Sequence, residues 1–339
     1  MNITTIGIDI AKNFFQLYAV DARGKKVFEK RLTREKLLPF IANTPICHIV
    51  MEACGGANYW AREFKKIRHE VNLIAPQFVV PFRTGNKNDR NDAQAIVEAA
   101  SRPQMRFVQV KTIEQQDMQS ILRVRESYVE MRTKMSNQIR GLLTEYGIVI
   151  PQGVHHLKRV LPDLLDRLKE NNLTLPMKEL LERQYFTLQY IEEQISYCDK
   201  RIEKIAKENE ACQRLQKVEG VGPITSVAVI ATVGFGTGFK NGRHFAAYLG
   251  LVPRQHSSGN REKLLGISKR GDSYLRKLFI HGGRSVVSRA QKKRDARSCW
   301  TTQLKTRAGT NRASVAVANK NARIVMALLL SGKDYRRAA

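Results

Sequence analysis

The order of strand-like and helix-like patterns over the first 111 residues constrains the fold of this chain most strongly. Three β-rich runs come first, and Asp21-Ala22-Arg23-Gly24 supplies a hairpin turn before the third of them. A helical pattern, an apolar run, an amphipathic helical pattern and a second apolar run follow, with the sequences REKLLPFIAN, CHIVMEA, NYWAREFKKIRHE and VNLIAP. Hairpin strands followed by β-α-β units predict an α/β domain at residues 1–111.

Residues 112–215 carry two long helical patterns. Between residues 113 and 147, and again between 177 and 208, apolar or large side chains recur every three or four positions. A connection that contains Pro151, Gly153, Pro162 and Pro176 separates the two stretches. The pattern predicts a long antiparallel helical pair of coiled-coil type, which either joins two copies of the chain or packs within one copy.

The charge of the chain is large and unevenly distributed. Lys and Arg total 58 against 31 Asp and Glu, which gives a net charge of +27. Residues 1–111 hold 18 basic and 10 acidic residues, residues 112–215 hold 16 of each, and residues 216–339 hold 24 and 5. An excess of this size favours a polyanionic partner. We expect the two basic segments to contact this partner and the neutral segment between them to contact protein. A solvated basic face is the alternative.

Residues 216–339 form the third predicted domain, which is mainly helical and strongly basic. Gly220-Val221-Gly222 lies between two apolar helical patterns, and Pro223 suits a first helical position. This arrangement is typical of a helix-hairpin-helix-like motif, in which backbone N–H groups at a helix N-terminus face a phosphate. Plain packing of the Gly-x-Gly turn between two helices is the alternative.

Cysteine content and apolar runs argue against a secreted or membrane protein. The five cysteines are odd in number and lack CxxC spacing, which fits reduced thiols and argues against zinc or a disulfide framework. The start MNITTIGIDI lacks a basic leader region, and the run IVMALLL is too short to cross a bilayer. We therefore expect a cytoplasmic protein, associated with the nucleoid, that has no membrane partner.

Four acidic residues of the first domain stand out against this basic background. The strand patterns of that domain fit a ribonuclease-H-like fold, and Asp9 and Glu52 occupy apolar strands in which a buried acid must be paired, hydrogen-bonded or bound to metal. Asp89 and Asp92 lie one helical turn apart and project from one face. Taken singly, Asp9 and Glu52 could serve turns, and Asp89 and Asp92 could cap a helix and favour its dipole.

As a set, the four carboxylates predict a divalent metal site. They repel one another and repel phosphate until cations enter, and hard oxygen ligands select Mg²⁺ or Mn²⁺. Two such ions can activate a nucleophile and stabilise the leaving oxygen of a phosphodiester. We therefore expect Asp9, Glu52, Asp89 and Asp92 to hold metal that meets nucleic acid.

Six sequence motifs resemble those of a known family. GIDIAK, MEACGG and NDRNDAQA resemble the RuvC-like DEDD domain of the insertion-sequence-110 transposases and the related pilin invertases. GVGPITS, YLGLVPRQHSSG and GISKRGDSYLRK resemble the C-terminal transposase domain of the same family. The motifs occur in family order and extend over nearly the whole chain.

The resemblance implies residue roles and partners. The metal-binding tetrad of the family falls on Asp9, Glu52, Asp89 and Asp92, and its nucleophilic serine falls on Ser258, with Ser257 one position away. In this family the serine attacks DNA and forms a covalent intermediate, and a noncoding RNA from the element pairs with donor and target DNA. From the residues alone, Ser258 is an ordinary turn serine, and His256 is a possible proton carrier or a solvent-exposed loop residue.

Several residues are candidates for contact with phosphate, because they are basic or offer backbone N–H groups. They are Lys12, Arg90, Gly220, Gly222, Arg254, Arg261, Lys263, Lys269 and Arg270.

The predicted function is that of a DNA transposase or site-specific recombinase that acts as a homodimer or homotetramer on donor and target DNA. No helix-turn-helix, zinc finger or RNP signature stands out, which is compatible with a guide RNA that reads sequence while the protein holds backbones. A metal-dependent, structure-specific nuclease that uses water, similar to Holliday-junction resolvases, is one alternative. A non-catalytic nucleic-acid-binding protein is the other.

Overall fold

The computed structural model describes residues 2–86, 88–166, 173–259 and 261–336. The chain divides into two compact units, Met1–Thr112 and Ile113–Ala339. The first unit mixes strands and helices, and the second is mostly helical. The predicted α/β region followed by a mainly helical region is therefore confirmed.

Among its described residues, the first unit contains a six-stranded sheet and four helices. The strands are β1 (Thr5–Ile10), β2 (Phe14–Val20), β3 (Lys26–Thr33), β4 (His48–Glu52), β5 (Glu70–Ile74) and β6 (Phe107–Val108). The helices are α1 (Arg34–Ala42), α2 (Ala57–Lys66), α3 (Pro76–Val79) and α4 (Asp89–Ala100), with a 3-10 turn at Val80–Phe82. The spatial order is β3-β2-β1-β4-β5-β6, in which β1, β4 and β5 are parallel and the other pairings are antiparallel.

Local chemistry explains the hairpin between β2 and β3. The Asp21 carboxylate accepts hydrogen bonds from the backbone N–H groups of Arg23 and Lys25, both at 2.9 Å. Gly24 takes a positive φ of 76°, which glycine adopts without steric cost. The predicted turn is thus a side-chain-stabilised turn at the expected residues.

Alternation along β1 directs its side chains to two different cores. Ile6 and Ile8 are fully buried in the main core, where Phe15 meets Trp60 edge-on at 5.1 Å between ring centroids. Gly7 lies on the opposite face, against α4. A smaller core on that face contains Val50 and Ile74 of the sheet and Ala95, Ile96 and Ala99 of α4. The sheet is therefore covered by helices on both faces.

The second unit contains eight helices and a short hairpin within its described residues. The helices are α5 (Ile113–Thr144), α6 (Val154–Asp166), α7 (Leu175–Glu208), α8 (Glu210–Gln216), α9 (Pro223–Val233), α10 (Gly242–Tyr248), α11 (Ser273–Arg289) and α12 (Ala296–Ser331), with a 3-10 turn at Ala290–Lys292. The strands β7 (Pro253–Gln255) and β8 (Leu264–Ile267) pair antiparallel.

The long helices α5 and α7 run antiparallel within one chain. Arg125 of α5 pairs with Asp199 of α7 at 2.5 Å, while Ile139 shares a core with Leu181 and Leu188. The apolar stripe of α7 is largely buried in this unit, whereas Val124 and Met131 of the predicted α5 stripe are about half exposed, at 48% and 52%. The connection predicted between the helices contains α6, whose Leu157 and Leu161 complete the core.

The helix α12 folds back on itself at Gly309, where φ is 79° and ψ is 164°. Lys320 lies over the Trp300 ring at 4.3 Å, and Arg297 donates a hydrogen bond to Asn321. A straight helix would separate Trp300 from Lys320 by about 30 Å at 1.5 Å per residue. We call residues 296–308 the first arm and residues 310–331 the second arm of α12.

By length and mean hydropathy, α12 also satisfies the criterion for a membrane span, among the described residues. More than half of its most apolar 18-residue window, 56%, is buried inside the protein. The apolar side chains of the second arm, such as Val325 and Met326, belong to the largest core of this unit. Core packing accounts for the apolar character of this helix.

The Gly220-Val221-Gly222 turn precedes α9, as the sequence predicts. Gly220 has a φ of 89° and packs against Gly282 of α11, where a Cβ atom would lie 2.8 Å from the Gly282 carbonyl oxygen. Gly222 is the exposed N-cap residue of α9, and Pro223 follows in the first turn. Packing therefore requires glycine at position 220, while Gly222 remains accessible.

A first prediction concerns Gly7. A Cβ atom there would lie 2.6 Å from the Ala93 carbonyl oxygen and 2.7 Å from a Val97 methyl group. Gly7→Ala should push α4 away from β1 and lower the free energy of unfolding by about 1–3 kcal/mol, measured by urea denaturation.

Gly141 in α5 provides the control, since a Cβ atom there meets nothing within 4 Å. Gly141→Ala should stabilise the protein by about 0.5–1 kcal/mol, because alanine loses less entropy in a helix. Equal effects of the two substitutions would contradict a close approach of α4 to the sheet.

Candidate active site

The carboxyl ends of β1 and β4 bring two acids side by side. Ile8 pairs with Met51 in the parallel register of these strands, and Asp9 and Glu52 are the next residue on each strand. Both lie two positions after a residue that faces α4, namely Gly7 and Val50, so they share that face. Both side chains are half-buried.

The N-terminus of α4 adds the other two acids. Asn88 is the N-cap residue, and its side chain accepts a hydrogen bond from the Asn91 N–H at 2.8 Å. Asp89 is therefore the first helical residue rather than the cap, and the capping explanation for it is wrong. Asp92 lies one turn further on and is half-buried, whereas Asp89 is exposed.

Burial and the other three acids act together on the carboxyl group of Asp9. Burial is the largest cause that raises the pKa of Asp9, from 3.8 to about 6, and the negative charges of Asp92, Asp89 and Glu52 follow in that order. Burial and the charges of Glu52 and Asp9 also raise the pKa of Cys54, the second residue after Glu52. The thiol is thus kept protonated beside the acids.

One arginine contacts one of the four acids, and a second arginine, on α4, pairs elsewhere. Arg83 contacts Asp92 with 3.1 Å between Nη1 and Oδ1, and both side chains are mostly buried, with 24% and 19% exposed. Arg90 pairs with Glu29 of β3 at 3.0 Å. The guanidinium of Arg83 thus occupies a position next to the acids where a cation is favourable.

The donor chemistry of this site fits a hard divalent cation, although a closed coordination shell is not formed. Within the described ranges, no three His, Cys, Asp or Glu side chains converge closely enough to hold an ion. Asp9 and the three carboxylates whose charges, after burial, raise its pKa are the oxygen donors that such ions select.

Ser258 lies in the second unit, in the loop between β7 and β8. Its backbone forms an isolated bridge with Arg261, whose N–H donates to the Ser258 carbonyl oxygen at 3.3 Å. The side-chain amide of Gln255 donates to the Ser257 hydroxyl at 3.0 Å. His256, Ser257 and Ser258 are all exposed.

The predicted phosphate-binding side chains are exposed at their positions in both units. Lys12 lies in the β1–β2 turn, and Arg90 is 63% exposed despite its pairing with Glu29. Exposed basic residues also lie on β7, in the β7–β8 loop and in the turn before α11; they are Arg254, Arg261, Lys263, Lys269 and Arg270. Lys269 adopts a positive φ of 54°, and its N–H donates to the Gly250 carbonyl oxygen at 3.1 Å.

Sequence reasoning missed Gly7 and Arg83. Gly7 lies in the middle of the strand IGIDI, and an interior glycine in a strand indicates a close backbone approach, so the signal was present. Arg83 is one of 18 basic residues in the first 111, and nothing in its local sequence sets it apart.

Comparison with known proteins identifies the class of this chain. Residues 6–148 match a family model described as a transposase, and residues 212–298 match one described as the transposase IS116/IS110/IS902 family. The transposase for insertion sequence element IS1111A of Coxiella burnetii is 47% identical over 338 residues, with 100% of this chain and 93% of that protein covered.

Two further relatives extend the similarity. A probable family 20 transposase of Pseudomonas aeruginosa is 46% identical over 336 residues, which cover 99% of each chain. The pilin gene-inverting protein of Moraxella bovis is 21% identical over 301 residues, which cover 83% of this chain and 82% of that protein.

These matches establish a DNA-cleaving enzyme of the recombinase class. The chain belongs to the IS116/IS110/IS902 family of insertion-sequence transposases, as the motifs predict.

A second prediction follows from the raised pKa of Asp9. Because the folded protein binds the Asp9 proton more tightly than the unfolded chain, stability is greatest below pH 4 for this group and falls as the pH rises through about 6. Asp9→Asn should therefore raise the free energy of unfolding by about 1–2 kcal/mol at pH 8 in EDTA and change it little at pH 4.

The control is Glu98→Gln, which removes an exposed carboxylate of α4 that pairs only at the surface with Arg102. It should shift stability by less than about 0.5 kcal/mol at either pH. If Asp9→Asn leaves the pH profile parallel to that of the original protein, Asp9 does not experience the repulsion described above.

Proposed function

We propose that this transposase cuts and rejoins DNA with a metal-bound tetrad, formed by Asp9, Glu52, Asp89 and Asp92, and with Ser258 as the nucleophile. The first unit is of the ribonuclease-H-like, RuvC-like type. Its sheet order, with two antiparallel hairpin strands beside parallel β1, β4 and β5, supports this assignment.

One observation carries the proposal. Two strand ends and one helix start, separated by up to 83 positions in the sequence, bring the other three carboxylates near enough to Asp9 that, after burial, their charges contribute to raising its pKa to about 6. Such repulsion is unfavourable in a resting fold, and perturbed acids of this kind cluster at functional sites.

The metal is Mg²⁺ or Mn²⁺, since all four side chains are hard oxygen donors. When bound, the metal supplies positive charge for a phosphodiester and for the oxygens that enter and leave it. Of the chain's own residues, Asp9 and Glu52 provide fixed donors on strands, and Asp89 and Asp92 provide donors on α4.

Ser258 is favoured over Ser257 by the contacts of the loop. The Ser257 hydroxyl accepts a hydrogen bond from Gln255, whereas Ser258 lies next to Gly259 in an exposed turn. In the proposed step the Ser258 hydroxyl loses its proton to solvent as its oxygen forms a bond to phosphorus, the bond from phosphorus to a DNA oxygen breaks, and that oxygen takes up a proton and leaves as a hydroxyl group. Arg254, Arg261 and Lys263 would neutralise the attacked phosphate.

The proposed organisation has three parts: a catalytic domain at 1–111, a helical dimerisation segment at 112–215 and a basic serine-bearing domain at 216–339. Donor and target DNA are the substrates, and an element-encoded noncoding RNA guides the choice of sites. A homodimer or homotetramer acts in the bacterial cytoplasm. The neutral helical segment supports self-association because like-charged copies must approach one another there.

A third prediction tests the nucleophile. The protein, Mg²⁺, RNA transcribed from the flanking element and cognate DNA should yield protein covalently attached to DNA, seen as a slower band after denaturation. Ser258→Ala should abolish this adduct, and Asp9→Asn should reduce it by at least about a hundredfold. Ser257→Ala is the matched control and should retain most of it.

The outcomes separate the alternatives. Continued DNA cleavage by Ser258→Ala without any adduct would indicate a nuclease that uses water. An adduct that persists in Ser258→Ala and disappears in Ser257→Ala would move the nucleophile by one residue. Unchanged DNA binding, with no cleavage by any variant under any metal, would indicate a binding protein.

A fourth prediction concerns Arg83. Because its guanidinium competes with metal for Asp92, Arg83→Gln should bind Mn²⁺ about tenfold more tightly, measured by electron paramagnetic resonance titration. Arg102→Gln, which removes a surface partner of Glu98 on the same helix, should leave the affinity unchanged. Weaker binding by Arg83→Gln would contradict competition at Asp92.

A further inference from the structure

A long groove crosses the second unit beneath the β7–β8 hairpin. It lies between this hairpin and the second arm of α12, with Trp300 of the first arm and the N-terminus of α10 at its edges. Its volume is about 1430 Å³. Sites for small molecules usually occupy about 300–1,000 Å³, so the groove has room for part of a polymer.

The floor of the groove is apolar and partly open to solvent. Leu264 and Leu265 of β8 are 65% and 38% exposed and line the groove with Ile267, Val315 and Ile324. The ring of Trp300 stands beside this floor, because the fold-back at Gly309 brings the first arm against the second. Trp300 itself is half-buried, packs against the cluster that contains Val286 and Val317, and has Lys320 over its ring. The exposed apolar surface of the groove is therefore that of Leu264 and Leu265, and it indicates a partner with apolar faces.

The rim of the groove is uniformly positive. Arg243, Arg312, Lys320 and Arg323 line it, and no acidic side chain does so within the part of the unit that the structure describes. Asn311 adds an amide group to the lining, while the Asn241 oxygen caps α10 and the Asn319 amide donates to the Leu251 carbonyl oxygen. Four cations that focus their field into one apolar cleft select an anion with evenly spaced charges.

A single-stranded polynucleotide has both properties. Its phosphates match the basic side chains of the groove, and its unstacked bases match the exposed leucines. A duplex presents phosphates but keeps its bases stacked inside, so Leu264 and Leu265 would make no contact with bases. Acidic peptides and anionic membranes supply charge without planar bases.

We propose that this groove binds a single strand of nucleic acid and passes it under the hairpin that carries Ser258. The binding site is additional to the tetrad and to the basic residues of the serine loop, and it does not depend on which residue attacks DNA. Arg312 and Arg323 of the second arm hold phosphates, while Leu264 and Leu265 of β8 contact bases.

The test uses the full-length protein in EDTA, so that cleavage cannot contribute, and a fluorescein-labelled twelve-nucleotide oligo(dT) observed by fluorescence anisotropy. Arg312→Gln/Arg323→Gln should weaken binding about tenfold and reduce the slope of log K against log salt concentration by about 1.4, at 0.7 per lost phosphate contact. Arg284→Gln/Arg289→Gln removes two exposed charges from α11 outside the groove and should leave that slope unchanged.

A second variant tests the apolar floor without a change of charge. Leu264→Ser alters an exposed side chain and should fold normally, yet it should weaken oligo(dT) binding by about three- to tenfold with an unchanged salt slope. In a Trp60→Phe background, Trp300 is the remaining one of the chain's two tryptophans, and its fluorescence should be quenched when oligo(dT) binds.

Competition experiments distinguish RNA from DNA as the bound strand, and they include the results that would overturn the proposal. Oligo(U) that competes better than oligo(dT) would assign the groove to RNA, and the reverse order would assign it to DNA; either order supports the proposal. A twelve-base-pair duplex that competes equally well would overturn it. So would phosphatidylserine vesicles or a polyglutamate peptide that bind through Arg312 and Arg323 while oligonucleotides do not.

Discussion

Repulsion among four carboxylates is the constraint on which the first unit of this transposase depends. The acids come from the ends of two neighbouring parallel strands and from the first turn of α4; burial, followed by the charges of the other three acids, raises the pKa of Asp9 to about 6. An arrangement of this kind costs stability, so the rest of the unit must hold it in place. The close contact of α4 with Gly7 does so on one side, and the pair formed by Arg83 and Asp92 does so electrostatically.

The second unit exposes many basic side chains and still contains a large apolar core. Its basic side chains lie at the surface, while the arms of α12 pack Val325, Met326 and their neighbours into the largest apolar cluster. The helical pair α5–α7 is neutral overall and buries most of the α7 stripe within the chain. Charge is therefore concentrated in the parts of this unit that are proposed to meet nucleic acid.

Much of the fold followed from the sequence because its signals are local. Period-two and helical patterns gave the strands and helices of the first unit, and Asp21 and Gly24 gave the turn. The edge strand β6 and the helix α6 were missed, since two residues of strand and a helix that contains Pro162 leave weak patterns. The α5 helix was predicted, and Val124 and Met131 of its apolar stripe are about half exposed in the single chain.

The candidate site was predictable where an acid interrupts an apolar strand, as at Asp9 and Glu52. Arg83 and the groove were not predictable, because both depend on residues that only the folded chain brings together. The same applies to Asn88, whose role as the cap separates Asp89 from an ordinary structural explanation.

The fold-back at Gly309 has a consequence for how copies of this chain relate to one another. A single residue with a φ of 79° reverses the direction of α12, and a side chain at that position would favour a straight helix. Straightening would carry the first arm out of its own molecule and into the equivalent place in another, as in domain exchange. Gly309 thus favours the arrangement in which the first arm of α12, which carries Trp300, packs within its own chain.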